Sequence, residues 1–421
     1  MLGSLLMSVR RGIQSMTYIF WEEIRGVFHD QGVFIFFILV PLAYPLVYSY
    51  IYSREVVREV PAVVVDADHS ALSRDYIRRV DATPDVEVVG QCADIEEARD
   101  VLRLRDAYGV IYIPEDFSRN LARGEQAKVT VFCDMSGLLY YKSLVLSNTS
   151  VSLAMNKEIK IERSGASTVA QGEQVAYPIE YEEVALFNPS TGFASFLLPA
   201  VLILLLQQTM LLGVGMSAGS MREGNKYRDL IPLSRHYEGT LRILLGKGLA
   251  YFTVYLAVAV YVLCAVPRMF NLVQLPNPLT LLGFIVPYLL SCVFFSLTAS
   301  VFIKNRETCM MLFVFTSVPL LFLSGISWPG SSISTFWRYV SYAFPSTFGI
   351  NGFVKINSMG AAFPEVRFEY IALWLQCAIY FVFSFFVYRW QVIQSRIHVV
   401  KVYRKSRPDY RPGKGWRLSG R

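Results

Sequence analysis

Residues 184–221 read VALFNPSTGFASFLLPAVLILLLQQTMLLGVGMSAGSM and contain no Asp, Glu, Lys or Arg. At 1.5 Å per residue, a helix over this stretch is long enough to cross the roughly 30 Å hydrocarbon core of a bilayer. Five further windows lack charged residues in the same way: 31–53, 248–267, 269–303, 308–337 and 370–388. The sequence therefore predicts an α-helical integral membrane protein with six transmembrane helices.

The composition supports this prediction and excludes other classes. Charged residues make up 17% of the chain and hydrophobic residues 53%, whereas an ordinary soluble protein carries about 25% charged residues. Six apolar windows exclude a soluble enzyme. They also exclude a β-barrel, because barrel strands alternate apolar and polar residues and do not run apolar throughout.

The first 30 residues precede the first window and are predicted to form an amphipathic helix. Over residues 13–28 the apolar side chains share one helical stripe, whereas Glu22 and Arg25 lie off it. The stripe consists of Ile13, Met16, Phe20, Ile24 and Val27. No cleavage site follows an apolar core, so a secretory signal is not expected. The helix could be a core helix of a small domain, but directly before a membrane span it is expected to lie in the membrane interface.

Lys and Arg are shared unequally by the segments that connect the windows. Segments 1–30, 222–247, 304–307 and 389–421 together hold 21, whereas the short loops on the other side hold four. Because basic residues accumulate on the cytoplasmic side, both termini are predicted to be cytoplasmic. Residues 54–183 are predicted to lie outside, since a long folded segment crosses the membrane largely regardless of its charge.

The formal net charge of +7 is also divided unequally. Segment 54–183 holds 23 acidic and 15 basic residues, so the rest of the chain is strongly basic. This basic excess, including the cytoplasmic tail 389–421, is expected to contact anionic lipid head groups. Nucleic acid is a poor interpretation, because the tail follows a membrane span.

Segment 54–189 is predicted to be an inserted α/β domain outside the membrane. Short β-branched runs predict strands at 61–65, 86–89, 108–113 and 128–132. Between and after them, helices are predicted from Ser70 as N-cap, over 95–104, over 114–124 with Gly124 at its end, and from about 137 to 163. Alternating units of this length are typical of a small α/β domain. The Ser-, Gly- and Gln-rich stretch 164–183 is predicted to be a linker.

Two cysteines of this domain, Cys92 and Cys133, each follow a predicted strand. A disulfide between them is one option in an oxidising compartment, and two free thiols are the other and more common outcome. Asp66-x-Asp68-His69 has residue types that bind metals, but a turn and helix cap after a strand explains it more simply. Neither a metal site nor a catalytic site is therefore predicted.

Two groups of glycines have spacings similar to those of phosphate-binding or dinucleotide-binding motifs. Gly246-Lys247-Gly248 lacks the loop glycine and the hydroxyl of a P-loop. Gly213, Gly215 and Gly219 lie in an apolar window with no strand before them, so close approach of helices is the better explanation. The chain is predicted to bind no cofactor and to be no enzyme.

The windows contain almost no ionisable residue, which argues against a transporter or pump that works alone. Energy would then come from another subunit, received by the cytoplasmic segments. The longest of these is 222–247, dense in charge and broken by Pro232. It is either a solvated connector that only fixes topology or a short docking element.

Several segments resemble the permease subunits of type-2 ABC exporters, in the subgroup with a large external domain after the first span. The similar segments are VVVDADHSALSRDYIRRVDATP (63–84), GVIYIPEDFSRNLARGEQAKVTVFCD (109–134), REGNKYRDLIPLSR with LLGK (222–247), LSGISWP (323–329) and Pro345–Gly352. They occur in the family's order over nearly the whole chain. One departure is that Glu238-Gly239-Thr240 follows Pro232, so exact roles within the loop do not carry over.

The resemblance implies a permease of the bacterial cytoplasmic (inner) membrane that dimerises with a second copy or a paralogue. Each copy would pair with a cytoplasmic ABC ATPase, which binds the ATP, and a periplasmic adaptor protein is a further partner in the wider family. A five-helix core over 190–388 would include an external re-entrant region, 328–368. The implied ATPase-coupling surface consists of Glu22, Glu23, Arg25, Arg222, Glu223, Arg228, Arg235 and Glu238. Lipid-like, drug-like and polysaccharide cargo all remain open.

Two other functions are compatible with parts of the sequence. A membrane-anchored sensor or structural protein would explain the external domain, but one or two spans suffice for an anchor. A membrane-embedded enzyme would need paired His, Asp or Glu residues within the spans, and the sequence shows none.

Overall fold

The computed structural model divides the chain into two compact units, a helical unit of Met1–Ser53 and Phe187–Arg421 and an α/β unit of Arg54–Leu186. The structure describes residues 2–165, 168, 171, 174, 184–189, 191–224, 230–231, 237, 239–272 and 274–406, without the side chains of 2–9, 11 and 398–406.

The helical unit begins with α1 (Leu2–His29) and α2 (Gln31–Ile51). The α/β unit follows, with β1 (Val60–Asp66), α3 (Ala71–Asp81), β2 (Val86–Gln91), α4 (Ile95–Leu104), β3 (Gly109–Ile113), α5 (Phe117–Arg123), β4 (Thr130–Cys133) and α6 (Leu138–Ser164). The helical unit resumes with α7 (Phe193–Gly224), α8 (Thr240–Met269), α9 (Pro278–Ala299), α10 (Arg306–Leu323), α11 (Thr335–Ser341), α12 (Pro345–Met359) and α13 (Arg367–Ser406).

Six described helices are long and apolar enough to cross a membrane: α2, α7, α8, α9, α10 and α13 as far as Ile397. Each coincides with one of the six charge-free windows, so the prediction of a multi-pass helical membrane protein is confirmed. The fifth window extends to residue 337, but α10 ends at Leu323. A turn follows because Gly325 adopts φ +86°, and Pro329 then precedes a short 3₁₀ turn over Gly330–Ser332.

Helix α7 lies at the centre of the helical unit and is buried over most of its length, whereas α10 is largely exposed. The glycines of α7 explain how closely neighbouring segments pack against it. A Cβ on Gly213 would lie 1.9 Å from the Phe37 ring, and one on Gly219 would lie 2.9 Å from the backbone nitrogen of Arg306. The interpretation of these glycines as close-approach positions is confirmed.

Helix α12 packs inside the helical unit, against α7, α9 and α13. Gln207, near the middle of α7, accepts a hydrogen bond from the Ser346 backbone N–H at 2.6 Å. This bond caps the first turn of α12, where helix N–H groups have no partner within the helix. The N-terminus of α12 therefore lies beside the middle of a membrane-length helix.

The α/β unit holds a four-stranded sheet in the order β2-β1-β3-β4, in which only β4 is antiparallel. The four predicted strands are confirmed, and the predicted helix over 95–104 matches α4. Ser70 caps α3 together with Ser73, as a capping box. Helix α5 begins at Phe117, three residues later than predicted, because Pro114 and Glu115 form a turn before the N-cap Asp116.

Polar groups at the end of β1 form a turn. Asp66 accepts hydrogen bonds from the backbone N–H groups of Asp68 and His69 and from the Ser73 hydroxyl. Asp68 in turn accepts from Ser118. The turn-and-cap interpretation is confirmed. Among the described residues no group of three or more His, Cys, Asp or Glu side chains is placed to hold a metal ion.

Cys92 and Cys133 are both free thiols, so the disulfide option is not realised. The sheet order gives the reason. Cys92 follows β2 and Cys133 ends β4, and these strands form the two opposite edges of the sheet. Three strand spacings of about 4.8 Å separate the edges, well beyond the Cα separation of about 7 Å that a disulfide can bridge.

Candidate functional site

A buried ion pair joins α1 to α8. Lys247 Nζ lies 2.5 Å from Glu23 Oε1, and the two side chains are 3% and 1% exposed. The Tyr251 hydroxyl, one turn further along α8, donates to Glu23 Oε2 at 2.6 Å. Glu23 is buried because it shares a face of α1 with Ile19 and Val27, four residues away on either side. We call Glu23, Lys247 and Tyr251 the buried triad.

The two glycines around Lys247 explain how closely the helices approach. A Cβ on Gly246 would lie 2.9 Å from Ile19 Cβ and 3.1 Å from the Met16 carbonyl oxygen. A Cβ on Gly248 would lie 3.3 Å from the Phe294 ring of α9. The Gly246-Lys247-Gly248 motif thus lets α8 fit between α1 and α9 while its lysine reaches Glu23.

A second polar cluster surrounds Asp30, the residue between α1 and α2. Asp30 caps α2 by accepting hydrogen bonds from Gly32 N at 3.0 Å and Val33 N at 3.3 Å. It also accepts from Arg306 Nη2 at 2.8 Å and from the Ser220 hydroxyl. Asp30, Ser220 and Arg306, which we call the Asp30 cluster, therefore connect the starts of α2 and α10 with the last turn of α7.

The electrostatics of the cluster favour an ionised Asp30. Burial acts to raise its pKa, but hydrogen bonds from Ser220, Val33 and Gly32 and the charge of Arg306 outweigh burial and lower the pKa. Glu223 lies beside the cluster, where it accepts from the Arg306 backbone N–H at 3.1 Å and is about half exposed.

Arg222 is buried in the last turn of α7. Its guanidinium donates to the carbonyl oxygen of Val301 at 3.0 Å and to that of Ile303, just after the end of α9. Both carbonyl groups lie beyond the end of α9, and the buried arginine supplies a donor to each. Lys247 also lies 3.7 Å from the sulfur of Met221, so the triad, the Asp30 cluster and Arg222 occupy one end of the helical unit. We call this the polar end.

The structure corrects part of the predicted ATPase-coupling surface. Glu23 and Arg222 are buried and bound internally, so neither is a surface residue. Glu22 and Arg25 are exposed on α1, and Glu223 is half exposed but engaged by Arg306. Arg228, Arg235 and Glu238 lie outside the described residues. The predicted loop 222–247 is too long at both ends, because residues 222–224 still belong to α7 and residues 240–247 already belong to α8.

The outward side of α1 forms a shallow groove lined by Ile13, Gln14, Thr17, Tyr18, Trp21, Glu22 and Arg25. These residues follow each other at three- and four-residue spacing, so they share one face of the helix. Trp21 and Ile13 are more than half exposed there. The face combines apolar side chains with one charge of each sign, a composition that suits a protein or interfacial contact.

Sequence reasoning missed Lys247, Tyr251, Asp30, Ser220 and Arg306. Asp30 carried a signal, because an aspartate directly before an apolar helix is a typical N-cap. Glu23 carried a signal for burial, since it stands four residues from the apolar Ile19 and four from Val27 and so shares their helix face. The partners themselves had no local signal, because they lie more than 180 residues away along the chain.

A family model described as "ABC-2 family transporter protein" matches residues 32–386. The chain belongs to the ABC-2 transporter family. No curated protein matches it. Members of this family are non-catalytic membrane subunits, and membership implies an ATPase partner and usually a dimeric arrangement. This ABC-2 protein is thus a multi-pass transporter permease, whose matched range includes Lys247, Ser220 and Arg306 and begins just after α1.

Proposed function

We propose that this ABC-2 chain is the permease subunit of an ABC exporter. It moves a substrate out across the bacterial cytoplasmic membrane with energy from a separate ATPase subunit. The observation that carries the proposal is the polar end: ion pairs there fasten α1 to the spans, while Glu22 and Arg25 on its other side remain exposed.

The polar end is the cytoplasmic end in this proposal. The distribution of Lys and Arg supports it, since the segments at this end carry most of the basic residues outside the α/β unit. Both termini then lie in the cytoplasm and the α/β unit lies outside, as in the subgroup with a large external domain. The region 328–368 re-enters the membrane from outside, which agrees with the contact between Ser346 and Gln207 near the middle of α7.

The ATPase docks on the outward face of α1 and on the chain between α7 and α8. Trp21 and Ile13 supply exposed apolar surface there, and Glu22 and Arg25 supply charges. Exposed aromatic residues surrounded by charges are typical of protein interfaces. Two permease copies, or one copy and a paralogue, then form the export route between them.

The experiment is co-purification of the ATPase with tagged permease. Reversing charge at Glu22 and Arg25 together should weaken ATPase retention, because these charges face the partner. The same reversal at Arg411 and Lys414 in the basic tail is the matched comparison and should have much less effect. Equal retention by both variants, with normal membrane insertion, would contradict docking on α1.

Orientation is tested separately by labelling single cysteines in intact cells. Probes at Asp100 in the α/β unit should react with a membrane-impermeant maleimide, and probes at Glu22 should not. Reaction at Glu22 but not at Asp100 would reverse the proposed orientation.

A further inference from the structure

We propose that the buried triad is the link through which movement of α1 reaches the membrane spans, so that Glu23 and Lys247 are positioning residues for transport. The inference rests on the proposed function, because it presumes an ATPase that moves α1. It concerns a different step, since docking involves the exposed face of α1 and transmission involves the buried face.

Stability alone does not call for this ion pair. Glu23 and Lys247 are both almost fully buried, and removing two charges from water is costly. Apolar residues of similar volume are often as stable at such a position or more stable. What a buried pair provides is register, because any other alignment of the two helices leaves a charge without its partner.

The residues around the ion pair allow only one alignment of α1 against α8. Tyr251 binds the second oxygen of Glu23, so the carboxylate is held from two consecutive turns of α8. Gly246 brings the backbone of α8 against Ile19 and the Met16 carbonyl. If α1 slid by one turn, about 5.4 Å, it would break both polar contacts and meet a different surface. The two helices therefore move together.

Helix α8 is in turn packed against other spans. The Tyr251 ring lies 5.5 Å from the Phe37 ring of α2, and Phe37 lies 4.7 Å from Tyr255. Phe37 also fills the space left by Gly213 of α7. A displacement of α1 thus passes through the triad into α8 and, by close ring contacts, into α2 and α7.

The Asp30 cluster offers a competing route, because α1 continues into α2 through Asp30. That cluster is partly exposed and lies just after the end of α1, whereas Glu23 is buried and lies within α1. The two routes are distinguished by making the triad apolar and leaving Asp30 intact. Movement of the spans should then stop if the triad transmits it, and should continue if the Asp30 cluster transmits it.

The experiment measures distances in the permease–ATPase complex reconstituted in lipid vesicles. A spin label at Leu279, exposed at the start of α9 and therefore at the far end from the polar end, reports movement of the spans between the two permease copies. Distances are compared without nucleotide and with ATP–vanadate. The six native cysteines are first replaced so that the spin label has a single attachment site, and no cargo is required.

The test variant is Glu23→Leu with Lys247→Met, which removes both charges and leaves no buried ion unpaired. The matched control is Glu369→Leu with Lys355→Met, which removes the α12–α13 ion pair of 2.6 Å near the label. Thermal unfolding and ATPase retention are measured for both, so that misfolding and loss of docking are recognised.

In the unmodified complex and in the control, ATP–vanadate should change the distance between labels. In the triad variant that change should be lost, although the ATPase stays bound and still hydrolyses ATP. A full distance change in a folded, ATPase-bound triad variant would overturn this inference alone. Absence of any change in the unmodified complex would overturn the proposed function and this inference with it.

Discussion

The ion pairs of the two units differ in reach and in burial. In the α/β unit, pairs such as Arg99–Glu96 and Arg103–Asp100 join residues three apart on one helix, and their side chains are at least 60% exposed. In the helical unit, Glu23–Lys247 and Asp30–Arg306 join different helices and are more buried. Within the described residues, four of the five ion pairs of the α/β unit lie within one helix, and the fifth, Arg79–Glu158, joins α3 to α6 but stays partly exposed. All four described pairs of the helical unit join different elements.

The difference shows where a charge can be removed without harm. An exposed ion pair contributes little to folding stability, because water screens both charges and two long side chains must be ordered. A buried pair is different, because losing one partner leaves the other charged and without solvent. The loss of folding stability on substitution should therefore depend on how deeply the substituted group is buried.

The largest effect is expected for Lys247→Met alone. It leaves the Glu23 carboxylate buried with only Tyr251 as partner, which should cost about 3–5 kcal/mol of stability. Thermal unfolding in detergent checks this. Adding Glu23→Leu should recover most of the loss. If the single variant unfolds at the same temperature as the unmodified chain, Lys247 is not the buried partner of Glu23.

The next effect concerns packing without charge. Gly213→Ala places a methyl group 1.9 Å from Cδ2 of Phe37, and overpacking of this kind costs about 1–3 kcal/mol. Gly26→Ala in α1 is the matched control, since nothing lies within 4 Å of its added Cβ, and helix propensity favours alanine by up to about 1 kcal/mol. Equal unfolding temperatures for the two variants would argue against the close approach of α2 and α7.

A smaller, pH-dependent effect is expected for Asp30→Asn. Asparagine can still cap α2, but the charged hydrogen bond to Arg306 is lost, which should cost about 1 kcal/mol at this half-exposed site. Because the pKa of Asp30 is lowered in the folded protein, its contribution is complete above the unfolded pKa of about 3.9 and is lost as pH falls through the folded pKa.

Unfolding temperatures measured between about pH 6 and pH 3 check this sign. The stability difference between the unmodified chain and Asp30→Asn should shrink as the pH falls. A difference that grows in acid would mean that the pKa of Asp30 is raised.

The smallest effect is expected for Arg99→Ala. It removes an exposed pair within α4 and should change stability by less than about 0.5 kcal/mol. Hydrogen exchange of the amides of β1 and β3, measured in the full chain, should not change. Faster exchange there would show that surface charge supports the sheet, and the contrast between the two units would no longer hold.

Much of the fold could be predicted because its signals are local. Ser70, Gly124 and the charge-free windows each act within a few residues, and the elements that they predict are present. The predicted stripe on α1 was less accurate. The buried row is Ser15, Ile19, Glu23 and Val27, so Val27 is the one member of the predicted stripe that is buried. Met16, Phe20 and Ile24 are half-buried and Ile13 is exposed, so the row is turned by about one residue from the predicted stripe.

That rotation has a physical cause that periodicity cannot show. Hydrophobic spacing places Glu23 outside, but Lys247 and Tyr251 compensate its charge inside. The free state of Cys92 and Cys133 likewise depends on strand order, which places their strands at opposite edges of the sheet. In both cases the deciding partner lies far along the chain, so no local pattern indicates it.

Photo-crosslinking from α1 tests the central claim most directly. A benzoyl-phenylalanine at position 22 or 25, in permease co-expressed with its ATPase, should crosslink to the ATPase in intact membranes. The same residue at exposed Leu104 of the α/β unit should give no ATPase crosslink. Crosslinking from position 104, together with none from positions 22 and 25, would contradict the proposal that the ATPase docks on α1 at the cytoplasmic end.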